Sequence, residues 1–87
     1  MRLMRRRPRV GAVTLVTRVG CHLCEQAAPV VERAARDAGA AYLVVDVDAD
    51  AGARAAYTDK VPVVLLDGVE HAYWQVDERA LRRALGV

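Results

Sequence analysis

The chain has few aromatic residues and no long apolar run. Phenylalanine is absent from its 87 residues, which include only one tryptophan and three tyrosines. A core must therefore be built from small and β-branched side chains, chiefly alanine and valine. No segment approaches the roughly 20 apolar residues of a membrane-spanning helix, and the run Val10–Val16 is too short and too interrupted for a signal peptide. We therefore expect one small cytoplasmic domain without membrane contact.

Cysteine and histidine are equally scarce. The chain has two cysteines, Cys21 and Cys24, and two histidines, His22 and His71. In the cytoplasm a close cysteine pair is more often catalytic or metal-binding than a structural disulfide bond. Because structural zinc usually needs four ligands, we expect no metal site. Metal or iron–sulfur binding through the cysteine pair stays open as an alternative, and so does a non-catalytic docking module.

Positive charge is concentrated at the N-terminus. Five arginines lie in the first nine residues, whereas the rest of the chain has three more acidic than basic residues. A basic segment can attract nucleic acid, but no aromatic residue and no second basic patch accompanies this one. We therefore expect no nucleic-acid partner. We interpret residues 1–10 as a basic, disordered tail and residues 11–87 as a single domain.

The apolar pattern alternates between strand and helix periods. In chain order, it predicts a strand over 13–17, a helix from Leu23 to a stop at Gly39, a strand over 42–47, a helix over 51–57, strands over 63–66 and 69–73, and a helix capped by Asp77. Asp67-Gly68 is a hairpin signal between the last two strands. The fold class is thus α/β, in the order β-α-β-α-β-β-α, with a mixed four-stranded sheet flanked by helices.

The cysteine pair lies just after the first strand and at the start of the first long helix. Free N–H groups and the helix dipole at such a position favour a thiolate, so we expect the pKa of Cys21 to fall below the roughly 8.5 of a free cysteine. Arg18 and His22 add positive potential. Cys24 lies one helical turn further along the helix, where it should be more shielded than Cys21 and should stay protonated to a higher pH. This asymmetry suits a dithiol mechanism.

A C-x-x-C motif at a strand-to-helix turn inside a βαβ pattern resembles the thioredoxin superfamily. Pro29 falls five residues after Cys24, where many members have a kinked active-site helix. Val61-Pro62 falls where the superfamily has a cis-proline beside the cysteines, so we predict a cis bond there. Within the superfamily the chain resembles the glutaredoxins, and most of all the small glutaredoxin-like proteins of bacteria, over about Val13 to Leu85.

This resemblance implies a thiol–disulfide oxidoreductase that serves cell redox homeostasis, with Cys21 as nucleophile and Cys24 as resolving thiol. The substrate-binding residues that it implies are Arg18, His22, Leu23, Val61, Pro62, Trp74 and Asp77. Arg18 stands where glutaredoxins carry a lysine that helps to hold a glutathione carboxylate. No tightly bound cofactor is implied, and glutathione is a candidate reductant or co-substrate. We expect a monomer that acts on a disulfide-bearing protein or a glutathione mixed disulfide, with glutathione or a reductase as electron donor.

The chain departs from the glutaredoxins at three places. Their Cys-Pro-Tyr-Cys is here Cys21-His22-Leu23-Cys24, and their Thr-Val-Pro is Lys60-Val61-Pro62. Their Gly-Gly-x-Asp-Asp segment, which approaches glutathione, is replaced by Tyr73-Trp74-Gln75-Val76-Asp77, in which only Asp77 matches an acidic member. Glycine permits close backbone approach, whereas Tyr73 and Trp74 would fill that space. Trp74 is then either an apolar rim for a protein substrate or a core tryptophan, and a protein partner is favoured over glutathione.

Overall fold

The structure, a computed structural model, describes residues 8–87. Its elements are β1 (Ala12–Thr17), α1 (His22–Asp37), β2 (Ala41–Asp46), α2 (Ala51–Tyr57), β3 (Val63–Leu66), β4 (Val69–Tyr73) and α3 (Glu78–Leu85). This order is the predicted β-α-β-α-β-β-α, and the bounds agree with the sequence pattern to within one or two residues.

The four strands form the predicted mixed sheet, in the order β2-β1-β3-β4. β1 runs parallel to β2, with Thr17 opposite Asp46. β1 runs antiparallel to β3, with Val16 opposite Val63. The C-terminal end of β1 and the N-terminal end of β3 therefore lie side by side at one end of the sheet. The loops that carry Cys21 and Pro62 leave the sheet at this end.

Helices cover both faces of the sheet. Alternate residues of a strand point to opposite faces, and β1 accordingly divides its side chains between two core clusters. Val13 and Leu15 pack with residues of α1 and α3, whereas Val16 packs with Val47 and with Ala53 of α2. The first cluster is the larger and anchors α1, which carries the cysteine pair. Its buried members are Val10, Val13, Leu15, Ala27, Val31, Ala34, Ala35, Val64, Leu81 and Leu85.

The predicted hairpin between β3 and β4 is confirmed. Asp67 and Gly68 have φ angles of 50° and 83°, so both lie in the left-handed region that a type I′ turn requires. Asp67 also reaches across to the start of β1, where its carboxylate accepts hydrogen bonds from the backbone N–H groups of Gly11 and Ala12. The turn thus fixes the register at the end of the sheet far from the cysteines.

The predicted basic tail, residues 1–10, lies mostly outside the described residues and stays a prediction there. At its end, Val10 is buried in the larger core cluster, and Arg9 Nη1 donates to the carbonyl oxygen of Arg83 at 3.3 Å. Among the described residues, no helix combines the length and the apolar character needed to span a bilayer.

Candidate active site

Cys21 and Cys24 are joined by a disulfide at the N-terminus of α1, with their Cα atoms 5.2 Å apart. Gly20, with φ of 80°, makes the turn from β1 into the helix, a backbone conformation that glycine adopts without strain. Cys21 is the N-cap, and its Sγ accepts a hydrogen bond from the backbone N–H of Cys24 at 3.2 Å. The sulfur therefore occupies the position where a helix N-terminus stabilises negative charge.

The two sulfurs differ in accessibility. Cys24 is buried, with 2% of its surface exposed, whereas Cys21 is partly exposed. The prediction that Cys24 is the more shielded thiol is confirmed. A reagent approaching from solvent reaches Cys21 first, and Cys24 is held within one helical turn behind it.

The loop before β3 meets a second loop that follows β4. The Val61-Pro62 peptide bond is cis, as predicted, and Pro62 is fully buried. The backbone N–H of Trp74 donates to the carbonyl oxygen of Pro62 at 2.9 Å, and its indole Nε1–H donates to the carbonyl oxygen of Asp59 at 2.9 Å. Trp74 therefore fixes the position of the loop before β3 from the side of β4.

An open groove of about 710 Å³ lies between α1 and these two loops. Its lining residues are Leu23, Val61, Tyr73, Trp74 and Gln75. Trp74 is 55% exposed and Leu23 is 46% exposed, so the tryptophan is a rim residue and not a core residue. A smaller depression of about 290 Å³ continues from Leu23 and Trp74 along α1.

Arg18 is held by residues of the loop that follows β2 and of the C-terminal end of α2. Its guanidinium forms two hydrogen bonds to the carboxylate of Asp48, at 2.9 and 3.1 Å, and two to Thr58, at 2.8 Å to Oγ1 and 3.0 Å to the carbonyl oxygen. The hydrogen bond between the side chains raises the pKa of Arg18 and lowers the pKa of Asp48. Four of the five N–H donors of Arg18, which the resemblance assigned to a glutathione carboxylate, are thus already bonded within the protein.

Two further predicted residues lie at helix N-termini. His22 is exposed in the first turn of α1, where its Nε2 lies 3.2 Å from Nε2 of Gln26. Asp77 is the N-cap of α3, and its carboxylate accepts hydrogen bonds from the backbone N–H groups of Arg79 and Ala80. Asp77 therefore serves first as a cap, which its position before the last helix had already indicated.

Three contributors were absent from the set predicted from sequence. Gln75 lines the groove, Asp59 accepts the indole hydrogen bond, and Thr58 binds Arg18. Their partners are 15 residues away for Asp59 and 40 for Thr58, so no local periodicity marks them. Within residues 8–87, no three His, Cys, Asp or Glu side chains lie together as a metal site would require.

A four-stranded sheet in this order, three helices, and a C-x-x-C disulfide at the first helix N-terminus define a protein of the thioredoxin fold with a redox role. Residues 12–86 match the family model described as "Glutaredoxin-like domain (DUF836)". The chain belongs to this glutaredoxin-like family.

Proteins similar to this chain include an uncharacterized protein of Mycobacterium tuberculosis, Rv0508, which is 44% identical over a match covering 80% of this chain and 77% of the relative. Among solved structures, the X. campestris structural genomics target XcR50 is 34% identical, has a TM-score of 0.68, and is matched over 85% of this chain and 95% of its own. A mutant thioredoxin from Halobacterium salinarum is 30% identical, with a TM-score of 0.65 and coverage of 85% of this chain and 70% of its own.

Proposed function

We propose that the protein is a thiol–disulfide oxidoreductase in which Cys21 attacks the substrate disulfide and Cys24 resolves the intermediate. The observation that carries this proposal is the asymmetry of the pair: a partly exposed sulfur at a helix N-terminus, backed by a sulfur that is 2% exposed. A thiolate is the attacking form in disulfide exchange, and the N–H of Cys24 stands in position to stabilise it.

The reaction begins with the reduced pair. The Cys21 thiolate attacks one sulfur of the substrate disulfide, a mixed disulfide forms, and the other substrate sulfur leaves as a thiolate that takes up a proton. Cys24 then loses its proton and attacks the Cys21 sulfur. The substrate's second thiol is released, and the protein is left with the Cys21–Cys24 disulfide. Two electrons have passed from the protein to the substrate.

The cycle closes when a donor returns two electrons to the pair. Two glutathione molecules, oxidised together to glutathione disulfide, or a disulfide reductase can serve as this donor. No tightly bound cofactor takes part. The substrates are disulfide-bearing proteins or glutathione mixed disulfides. We propose that the protein acts as a monomer in the cytoplasm, where it would contribute to redox homeostasis.

Val61 and Pro62 are proposed to present backbone groups to the substrate. Within residues 8–87, neither the N–H nor the C=O of Val61 has a hydrogen-bond partner in the fold. An extended substrate segment can pair with such groups as a strand pairs with a sheet edge. Arg18, His22 and Asp77 would then act at the periphery, through the positive potential or the local structure that each supplies.

The experiment compares Cys21→Ser with Cys24→Ser, a matched pair in which one sulfur becomes oxygen. Each variant and the native protein is incubated in glutathione redox buffers and with a small disulfide substrate, and intact mass is recorded. The native protein should show a reversible two-proton mass change. Cys24→Ser should accumulate a mixed disulfide on Cys21, and Cys21→Ser should form none. Full activity in Cys21→Ser would overturn the proposal.

A further inference from the structure

We propose that Trp74 determines substrate specificity: with Leu23 it selects a polypeptide disulfide that carries an apolar side chain next to the reacting cysteine, in preference to glutathione disulfide. The proposal rests on the oxidoreductase function proposed above and names the substrate class of that same site. Its occupant is an extended polypeptide segment with an aromatic or branched residue beside its cysteine.

The first observation is that Trp74 is fixed and yet exposed. Its backbone has φ of 66°, its N–H donates to the carbonyl oxygen of Pro62, and its indole Nε1–H donates to that of Asp59. More than half of the side chain nevertheless faces solvent. A tryptophan with its polar atom satisfied internally offers only apolar ring surface to an incoming molecule.

The second observation is the lining opposite the indole. Leu23 projects from the first turn of α1, between the two cysteines in sequence, and contributes to the same groove as Trp74. Cys21 does not itself line the groove, but it caps the same helical turn that carries Leu23. A substrate side chain next to the cysteine bonded to Cys21 is therefore expected to reach the groove and to meet apolar surface from both Leu23 and Trp74. Because removal of apolar surface from water is favourable, an apolar side chain gains affinity there and a polar one does not.

The third observation concerns charge. Glutathione has two carboxylates, but no lysine or arginine among the described residues lines the groove. Arg18 is bonded to Asp48 and Thr58. Lys60 lies 5.1 Å above the ring of Tyr73 and 3.4 Å from the carboxylate of Glu70. A glutathione carboxylate in this groove would therefore find no cation among the lining residues, and it would compete with Glu70 for the neighbouring Lys60.

The test uses two disulfide-linked peptide dimers that differ at one residue. One is built from acetyl-Gly-Cys-Phe-Gly-amide and the other from acetyl-Gly-Cys-Ser-Gly-amide, so both are uncharged; glutathione disulfide is the third substrate. Second-order rate constants for oxidation of the reduced protein are measured by acid quench and mass analysis. The phenylalanine peptide should react about tenfold or more faster than the serine peptide, and glutathione disulfide should be the slowest.

Variants assign the selectivity to the groove. Trp74→Ala should bring the ratio of the two peptide rates close to one, and Trp74→Phe, which keeps a ring but loses the indole N–H, should retain most of it. Leu23→Ser, at an exposed helix position, provides a second test that does not depend on how Trp74→Ala folds. Leu43→Ala is the matched control, because Leu43 is 51% exposed on β2 at the opposite edge of the sheet, and it should leave the ratio unchanged.

The outcomes separate the two proposals. If the native protein oxidises none of the three substrates, the oxidoreductase function itself fails. If it reacts normally but shows a peptide ratio near one, or prefers glutathione disulfide, or keeps its ratio in both Trp74→Ala and Leu23→Ser, the specificity role is overturned and the function stands. Rate constants that fall as the protein concentration rises would mean that a second copy covers the groove, which also overturns the proposal.

Discussion

Replacement of Pro29 by alanine should raise the stability of the domain. Pro29 lies near the middle of the 16-residue helix α1 and is exposed. A proline there has no N–H to donate to the carbonyl oxygen of Glu25, one turn earlier, and its ring crowds that same carbonyl. Because the side chain is exposed, its replacement leaves no cavity in the core.

The magnitude follows from two opposing effects. In a helix interior, proline is about 3 kcal/mol less favourable than alanine. Proline also restricts the unfolded chain. Its replacement by alanine raises the conformational entropy of the unfolded state, which lowers the free energy of unfolding by about 0.4–1 kcal/mol. The net gain in the free energy of unfolding is about 2 kcal/mol, which corresponds to a rise in Tm of about 8–16 °C for a domain of this size.

The assay is urea unfolding of the oxidised protein, followed by circular dichroism and by fluorescence of Trp74, the only tryptophan in the chain. The unfolding midpoint should rise while the m-value stays constant. Gln26→Ala, at an exposed position of the same helix, is the control and should change stability by no more than about 0.5 kcal/mol. A Pro29→Ala variant that is no more stable than the native protein would refute the reasoning, since it would mean that the proline ring stabilises the packing of α1.

Three further results are expected. Leu81→Ala, which truncates a fully buried side chain in the larger core cluster, should lower the free energy of unfolding by about 2–5 kcal/mol in the same urea assay; a smaller loss would mean that the core around α3 relaxes into the space. Asp48→Asn should be less stable than the native protein at neutral pH, because the hydrogen bond from Arg18 lowers the pKa of Asp48 and so stabilises the fold whenever the carboxyl is ionised; the difference should fade in urea titrations as the pH falls below about 4, and a difference that persists in acid would contradict this origin. In the reduced protein, iodoacetamide should label Cys21 at least about tenfold faster than Cys24, since labelling of the buried thiol requires local opening; equal rates in the two single-serine variants would contradict the assigned roles.

Local signals in the sequence were sufficient for the order of elements and for the position of the cysteine pair. Asp77 stands before the last helix and caps it, and Asp67-Gly68 forms the hairpin turn. Each of these signals acts over a few residues, so it is visible without knowledge of the fold. The cis bond before Pro62 was predicted differently, from resemblance to a family, because no local pattern distinguishes it from a trans bond.

The partners of Arg18 show what local signals leave out. The position of Arg18 before Cys21 indicated a role toward the thiolate or an anionic substrate, but its guanidinium is bonded to Asp48 and Thr58, 30 and 40 residues later. Those partners become neighbours only because β2 pairs in parallel with β1 and α2 returns the chain toward the same end of the sheet. Which of the several acidic residues pairs with Arg18 depends on the tertiary structure, and the spacing of residues along the chain does not reveal it.

The backbone at Trp74 explains how an indole can occupy a segment where the glutaredoxins have glycine. A left-handed conformation costs a non-glycine residue about 1–2 kcal/mol. The backbone N–H of Trp74 is shared between the carbonyl oxygens of Pro62 and Lys60, and the indole N–H donates to that of Asp59. Each N–H contributes about 1 kcal/mol, and together they offset that cost. The chain therefore keeps the left-handed backbone that glycine would adopt at this position. The indole ring of Trp74 occupies the space that a glycine would leave open. Trp74 still holds the loop before β3 through its hydrogen bonds to Pro62 and Asp59, and the proposed binding of a substrate backbone at Val61 requires that this loop keep its position.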